Sequence, residues 1–121
     1  MQDQIQELLD TMADALQAGQ QHAALTLAQA VATQVVADGD PTWTEAIRRM
    51  VTAAALLAAE HGTPTIAAAR DALEELDGAD TAALSPTIRE AIQPLALATE
   101  RTRASILAGA AAALRRAHNA A

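Results

Sequence analysis

The chain has 121 residues, a formal net charge of −7, no cysteine and a single aromatic residue, Trp43. The missing cysteines exclude disulfides and thiolate metal sites. The acidic balance opposes non-specific binding to nucleic acid, because such binding depends on cationic side chains that neutralise phosphates. We therefore expect one acidic domain in a cytoplasmic setting, with a surface suited to solubility or to a basic protein partner.

The composition predicts an all-α fold, a compact bundle of about five to six helices with a long C-terminal helix. About a quarter of the residues are alanine, the strongest helix former. Residues that favour strands do not alternate with polar ones over a useful length. No apolar run approaches the roughly 20 residues that a membrane span needs. We also expect no signal peptide, because no basic segment precedes an apolar one near the start.

Helical spacing of apolar residues predicts a first helix over residues 3–18 and a second over residues 22–37. Gly19 is placed to end the first helix, and the turn-forming run 38–40 follows the second. The residues expected to face the core are Ile5, Leu8, Leu9, Met12 and Leu16 in the first helix, and Leu25, Leu27, Ala28, Val31 and Val35 in the second.

The third helix, over residues 41–61, is predicted to be the centre of the bundle. Asp40 is a good N-cap, Pro41 suits the first helical position, and Gly62 is placed to end the helix. Its apolar stripe follows at alternating steps of four and three: Trp43, Ile47, Met50, Ala54 and Leu57. We expect Trp43 to be buried as the structural anchor of the bundle; the alternative is an exposed anchor for a partner.

Three helix starts and a break are predicted in the second half of the chain. The pair Thr63-Pro64 opens a fourth helix to about residue 76, and residues 78–84 form the least regular connection. A short helix begins at Ser85-Pro86 and ends near residue 92. Pro94 interrupts it and starts a long final helix over residues 94–117. Within that helix, Gly109 predicts a close crossing with a neighbouring helix.

No pattern in the sequence is typical of catalysis, cofactor binding or metal binding. His22, His61 and His118 lie far apart and form no metal-ligand spacing. Glu74 and Glu75 belong to a short acidic run, which is more often a solvated surface than a catalytic pair. A phosphate-binding P-loop is excluded because the chain has no lysine. We therefore predict no catalytic residue, no cofactor and no metal, and hence no enzyme activity.

Arginine pairs are the only candidates for anion contacts. Arg48 and Arg49 on the third helix, and Arg101 and Arg103 on the last, are the predicted partner-binding or DNA-binding residues. If these two helices pack side by side, both pairs could share one face. The alternative is ordinary solvated salt bridges, since each pair has a glutamate within reach.

Two segments carry a resemblance to a known family. The first segment, residues 39–51, reads Gly-Asp-Pro-Thr-Trp-Thr-Glu-Ala-Ile-Arg-Arg-Met-Val. It is similar to a stretch with the pattern D-P-x-W-x-x-A-x-R-x-L-L. That stretch belongs to the all-α domain of TraG/TraD-like coupling proteins of type IV secretion. Residues 100–107, Glu-Arg-Thr-Arg-Ala-Ser-Ile-Leu, resemble the R-T-x-x-S-I-L stretch of that domain. Between them, residues 62–65 resemble its x-P-T-L helix start. The order and approximate spacing agree over residues 22–117, although Thr42 stands where the family often has phenylalanine.

The resemblance implies a domain excised from, or related to, the one inserted in a hexameric, membrane-anchored coupling ATPase. Such a domain has no catalytic role and no direct membrane contact. It lies on the cytoplasmic face and recruits a relaxase, a relaxosome or an effector protein for export. Two alternatives remain open: a DNA-contacting domain of the same motor, and an unrelated helical scaffold that self-associates through small-residue faces.

Overall fold

The computed structural model describes residues 2–36, 41–78, 84–93 and 99–119. Within these ranges the chain forms six helices and no strand, so the predicted all-α class and the long C-terminal helix are confirmed. The helices are α1 (Gln2–Gln17), α2 (Gln21–Val35), α3 (Pro41–Glu60), α4 (Ile66–Gly78), α5 (Pro86–Ile92) and α6 (Glu100–Asn119).

Helix α3 is the central helix of the bundle. Every residue from Met50 to Ala58 is buried, which amounts to more than two turns without a solvent-facing side. A helix that is apolar on all sides must be covered on all sides. Helix α3 accordingly packs against each of the other five helices. Four of these nine buried residues are alanines, whose small side chains let the neighbouring helices approach closely.

The outer helices also pack on one another. Helix α1 packs on α2, and α4 packs on α6. Helix α5 runs antiparallel to α3: its first turn meets the end of α3 where Ser85 Oγ donates to Glu60 Oε2 at 2.7 Å. Its last turn lies near the middle of α3, where Ala91 shares a groove with Arg48 and Thr52.

Both glycine helix ends predicted from the sequence are confirmed. Gly19 and Gly62 have φ angles of +77° and +84°, a conformation that side chains with a Cβ rarely adopt. After α3, the N–H of Thr63 donates to the Ala58 carbonyl and the N–H of Gly62 to the Ala59 carbonyl, both at 3.0 Å. This pair of bonds is a Schellman motif, and it satisfies carbonyls that the helix leaves without partners.

Two predicted helix starts are wrong, and threonine caps explain both. Helix α4 begins at Ile66 and not at Thr63-Pro64, because Thr65 Oγ1 accepts from the N–H of Ala68 at 3.1 Å. Helix α6 begins at Glu100 and not at residue 94, because the non-helical Thr99 accepts at Oγ1 from the N–H of Thr102 at 3.2 Å. In each case the side-chain oxygen satisfies an N–H of the first turn that has no partner within the helix.

The third predicted start is confirmed, and four further predictions fall wholly or mostly on residues that the structure does not describe. Helix α5 spans Pro86–Ile92, with Ser85 Oγ accepting from the N–H of Ile88 at 3.4 Å. The Asp40 cap, the turn at 38–40, most of the connection at 78–84 and the break at Pro94 lie outside the described residues.

The predicted close crossing at Gly109 is confirmed. A Cβ atom built on Gly109 would lie 2.7 Å from Ile47 Cδ1, nearer than real Cβ contacts come. Helix α6 therefore approaches α3 at a point where only glycine fits without displacing the isoleucine side chain. Ile47 immediately precedes the arginine pair of α3, so this crossing fixes the orientation of the helix next to that pair.

Leu56→Ala should lower the free energy of unfolding by about 2–5 kcal/mol, because the fully buried leucine would leave a cavity in α3. The matched control is Leu25→Ala on α2, where the side chain is only half-buried and the loss should be smaller. Urea unfolding followed by circular dichroism measures both values. Equal losses for the two variants would contradict the central position of α3.

Candidate functional site

Trp43 is exposed, so the prediction that it is a buried structural anchor is wrong. Its exposed fraction is 44%, whereas the adjacent Thr44 is buried. Successive helical residues point roughly 100° apart, and in the first turns of α3 it is Thr44 that faces the core. The stripe is half-buried at Ile47 and buried from Met50 onward. The core is therefore built from aliphatic side chains and alanines, and the indole lies at its edge.

Arg48 and Arg49 lie together in a groove with a volume of about 240 Å³. Three helices form it: α2 and α3 supply most of the lining, and α5 closes one side with Ala91. The described lining residues are Gln29, Ala32, Thr33, Glu45, Arg48, Arg49, Thr52 and Ala91.

Local contacts hold the two arginines differently. Arg48 Nη2 donates to the carbonyl of Val36 at 3.3 Å. Val36 is the C-cap of α2, where carbonyls lack partners within the helix, and an arginine there also complements the helix dipole. Arg49 Nη2 lies 3.3 Å from Glu45 Oε1, and the two side chains are 39% and 71% exposed. An exposed pair of this kind contributes little to stability, so Arg49 is held loosely.

The hydroxyl groups in the groove already donate to the backbone of their own helices. Thr52 Oγ1 donates to the Arg48 carbonyl at 2.7 Å, and Thr33 Oγ1 donates to the Gln29 carbonyl at 2.9 Å. The other described lining residues whose side chains carry hydrogen-bond donors are Arg48, Arg49 and Gln29. Among its described lining residues, the groove has two arginines and one glutamate, in a chain whose net charge is −7.

Arg101 and Arg103 occupy a different position, in the first turn of α6. Arg101 is exposed and Arg103 is half-buried. Helices α3 and α6 do pack, through Ile47 and Gly109, but the described lining of the arginine groove comes from α2, α3 and α5. The groove therefore brings Arg48 and Arg49 together and does not include Arg101 or Arg103.

A second cleft, of about 590 Å³, lies at the other end of α5 and was missed in the sequence. The ends of α1 and α3 and the starts of α2 and α5 line it. Two side-chain hydrogen bonds cross this region: Ser85 to Glu60 at 2.7 Å, and Thr87 Oγ1 to Gln21 Oε1 at 2.6 Å. The partners lie 25 and 66 residues apart in sequence, so no local pattern could indicate them.

Metal-ligand clusters and membrane-crossing helices were sought among the described residues. No group of three or more His, Cys, Asp or Glu side chains there is arranged to hold a metal ion. His61 Nε2 lies 3.0 Å from Glu75 Oε2, where it links the end of α3 to α4. Among the same residues, no helix combines the length and the apolar character needed to cross a bilayer.

Fold and site together define a class: an all-helical module with a groove beside its central helix that two arginines and a glutamate line. Comparison with protein families, with curated proteins and with solved structures finds no match to this chain.

Trp43 fluorescence should be that of a partly hydrated indole, with red-shifted emission and efficient quenching by acrylamide. The chain contains no other tryptophan and no tyrosine, so the emission reports this residue alone. Quenching of the native protein should lie between that of a fully buried indole and that of the urea-unfolded chain, because the side chain is 44% exposed. Strong protection from acrylamide in the native state would show that the indole is buried after all.

Proposed function

We propose that this chain is a non-catalytic recruitment domain of a coupling protein of the TraG/TraD kind, which binds a relaxase, a relaxosome or an effector protein for export by type IV secretion. The observation that carries the proposal is the ordered set of three family-like segments. Each segment alone is weak evidence in an alanine-rich helical chain, but the set occurs in the family's order and at similar spacing.

The positions of these segments are compatible with the proposal. The first covers the start of α3, the third covers the start of α6, and the middle one forms the connection between α3 and α4. The first and last segments therefore belong to two helices that cross at Ile47 and Gly109. If the first and last segments both help to form this helix crossing, that shared structural role would explain why they occur together.

The surface chemistry favours a protein partner over DNA. Of the four arginines predicted to contact DNA, Arg48 donates to a backbone carbonyl and Arg49 pairs with Glu45. DNA contact is favoured by a separate observation, that α6 carries four arginines against one glutamate. The net charge of −7 opposes it, because affinity for nucleic acid depends on neutralised phosphates. We therefore place recruitment of protein cargo first and DNA contact second.

The purified chain should bind a relaxase encoded by the same conjugative element, because recruitment requires direct contact between the domain and its cargo. Biolayer interferometry with the chain immobilised measures the affinity and its dependence on salt. Leu56→Ala serves as a control that weakens the fold without altering the surface. The positive control is the complete coupling protein of that element.

The result that would contradict the proposal is a relaxase or effector that binds the complete coupling protein but does not bind this chain. Turnover of a nucleotide by the isolated chain would contradict its non-catalytic character. In the first case recruitment would have to reside elsewhere in the motor.

A further inference from the structure

We infer that this chain self-associates, with the acidic outer face of α1 in one copy binding the basic outer face of α6 in a second copy. The exposed residues that form the two faces are Glu7, Asp10 and Asp14 on α1, and Arg101, Arg115 and Arg116 on α6. The inference goes beyond the proposed recruitment function, which concerns a cargo protein and not a second copy of this chain.

Charge is segregated between the start and the end of the chain. Residues 1–47 contain no arginine and no lysine, and α1 carries four acidic residues. Helix α6 carries four arginines and one glutamate. Helix α1 packs on α2 and α3, whereas α6 packs mainly on α4 and α3. The acidic and the basic faces are therefore separate surfaces of the bundle.

Neither face is neutralised within one copy. The ion pairs within the described ranges are Arg49 with Glu45 and His61 with Glu75. The described acidic side chains of α1 and the arginines of α6 take part in neither pair. Two surfaces of opposite charge on the same molecule favour contact between copies, because complementary potentials steer and orient association.

Two of these charges lie at the helix end where the helix dipole disfavours them. Asp14 is in the last turn of α1, which carries partial negative charge, and Arg101 is in the first turn of α6, which carries partial positive charge. Stabilisation of their own helices therefore does not account for either residue. Antiparallel contact of α1 with α6 of a second copy would place Asp14 beside Arg101 and offset both unfavourable positions.

The exposed side of α6 lets another helix approach closely. Arg101 and Arg115 are about four turns apart and so lie on nearly the same side of the helix. The exposed side chains between them are small: Ala104, Ser105 and Ala108. The hydroxyl of Ser105 already donates to the Arg101 carbonyl at 3.2 Å. A helix resting on these small residues would come within reach of the arginines on either side of them.

The distribution of charge selects which faces can meet. Contact of α1 with α1, or of α6 with α6, would bring like charges together, which is unfavourable. Contact of α1 with α6 is heterologous, so each copy keeps one unused face of each kind and association can continue beyond a dimer. The net charge of −7 repels copies over longer distances, so we expect weak association, with a Kd on the order of 0.1–1 mM.

Sedimentation equilibrium of the full chain tests the inference. At low salt and protein concentrations up to about 1 mM, the average mass should exceed that of the monomer and rise with concentration. Raising the salt from about 0.1 M to about 1 M shortens the screening length from about 10 Å to about 3 Å. The monomer mass should then return, because the attraction is between exposed charges.

Charge reversals identify the faces. Asp14→Arg and Arg101→Glu should each weaken self-association by about fivefold, although each suits the dipole of its own helix better. An equimolar mixture of the two variants should regain the wild-type affinity, because the reversed acid of one then faces the reversed arginine of the other. The matched controls are Glu90→Arg and Arg89→Glu on the exposed side of α5, which change the net charge equally. Glu90→Arg should not weaken association, and Arg89→Glu should weaken it less than Arg101→Glu does.

Five outcomes would overturn the inference. They are a strictly monomeric mass at low salt, association that high salt does not weaken, reversals on α1 and α6 that act no more strongly than those on α5, a mixture that associates no better than either variant alone, and a short duplex DNA that binds α6 more tightly than a second copy does. Circular dichroism of each variant should match that of the wild type, because all four substituted residues are exposed.

Discussion

The structure depends on the burial of one helix on every side. From Met50 to Ala58, no residue of α3 faces solvent, and the other five helices all pack against this helix. Burial of apolar surface is the main favourable term in folding. Alanines supply much of this surface, so each contact contributes modestly to the free energy of unfolding. The stability therefore comes from the number of helices that pack against α3. A neighbour that moved away would expose apolar surface on α3.

The same helix determines where polar chemistry can occur. Its buried middle separates two regions that α5 spans, with Glu60 and Ser85 at one end and Arg48 and Arg49 near the other. The Gly109 crossing places α6 against Ile47. Arg48, one position and about 100° further round the helix, is directed to a different neighbour and donates to Val36 at the end of α2. Arg48 and Arg49 share a groove because the crossing with α6 fixes the rotation of α3.

Local signals in the sequence were sufficient for the helices and for several of their ends. Gly19 and Gly62 end helices, and Ser85-Pro86 begins one, because these residue types satisfy backbone groups within a few positions. The sequence does not single out Thr65 and Thr99 as N-caps, because a nearby proline in each case indicates a different helix start. The sequence places Trp43 in the core because tryptophan is hydrophobic and lies on the apolar stripe. Which side of a helix end is covered depends on how the neighbouring helices pack, and the sequence alone does not show this. Likewise, the sequence identifies Arg48 and Arg49 as candidates. It does not show that Gln29 and Ala91 line the same groove, because their positions depend on how α2 and α5 pack.

Native-state hydrogen exchange tests most directly whether α3 is the centre on which the other helices depend. The amides of residues 53–58 should exchange only through global unfolding, with the highest protection in the chain, because every one of these residues is buried. The outer turns of α1 and α6 should open at lower free energy. The contradicting result is exchange of the middle of α3 through a local opening while α1 or α6 stays protected. In that case α3 would not be the helix that organises the fold. The groove beside it would then lose its structural basis.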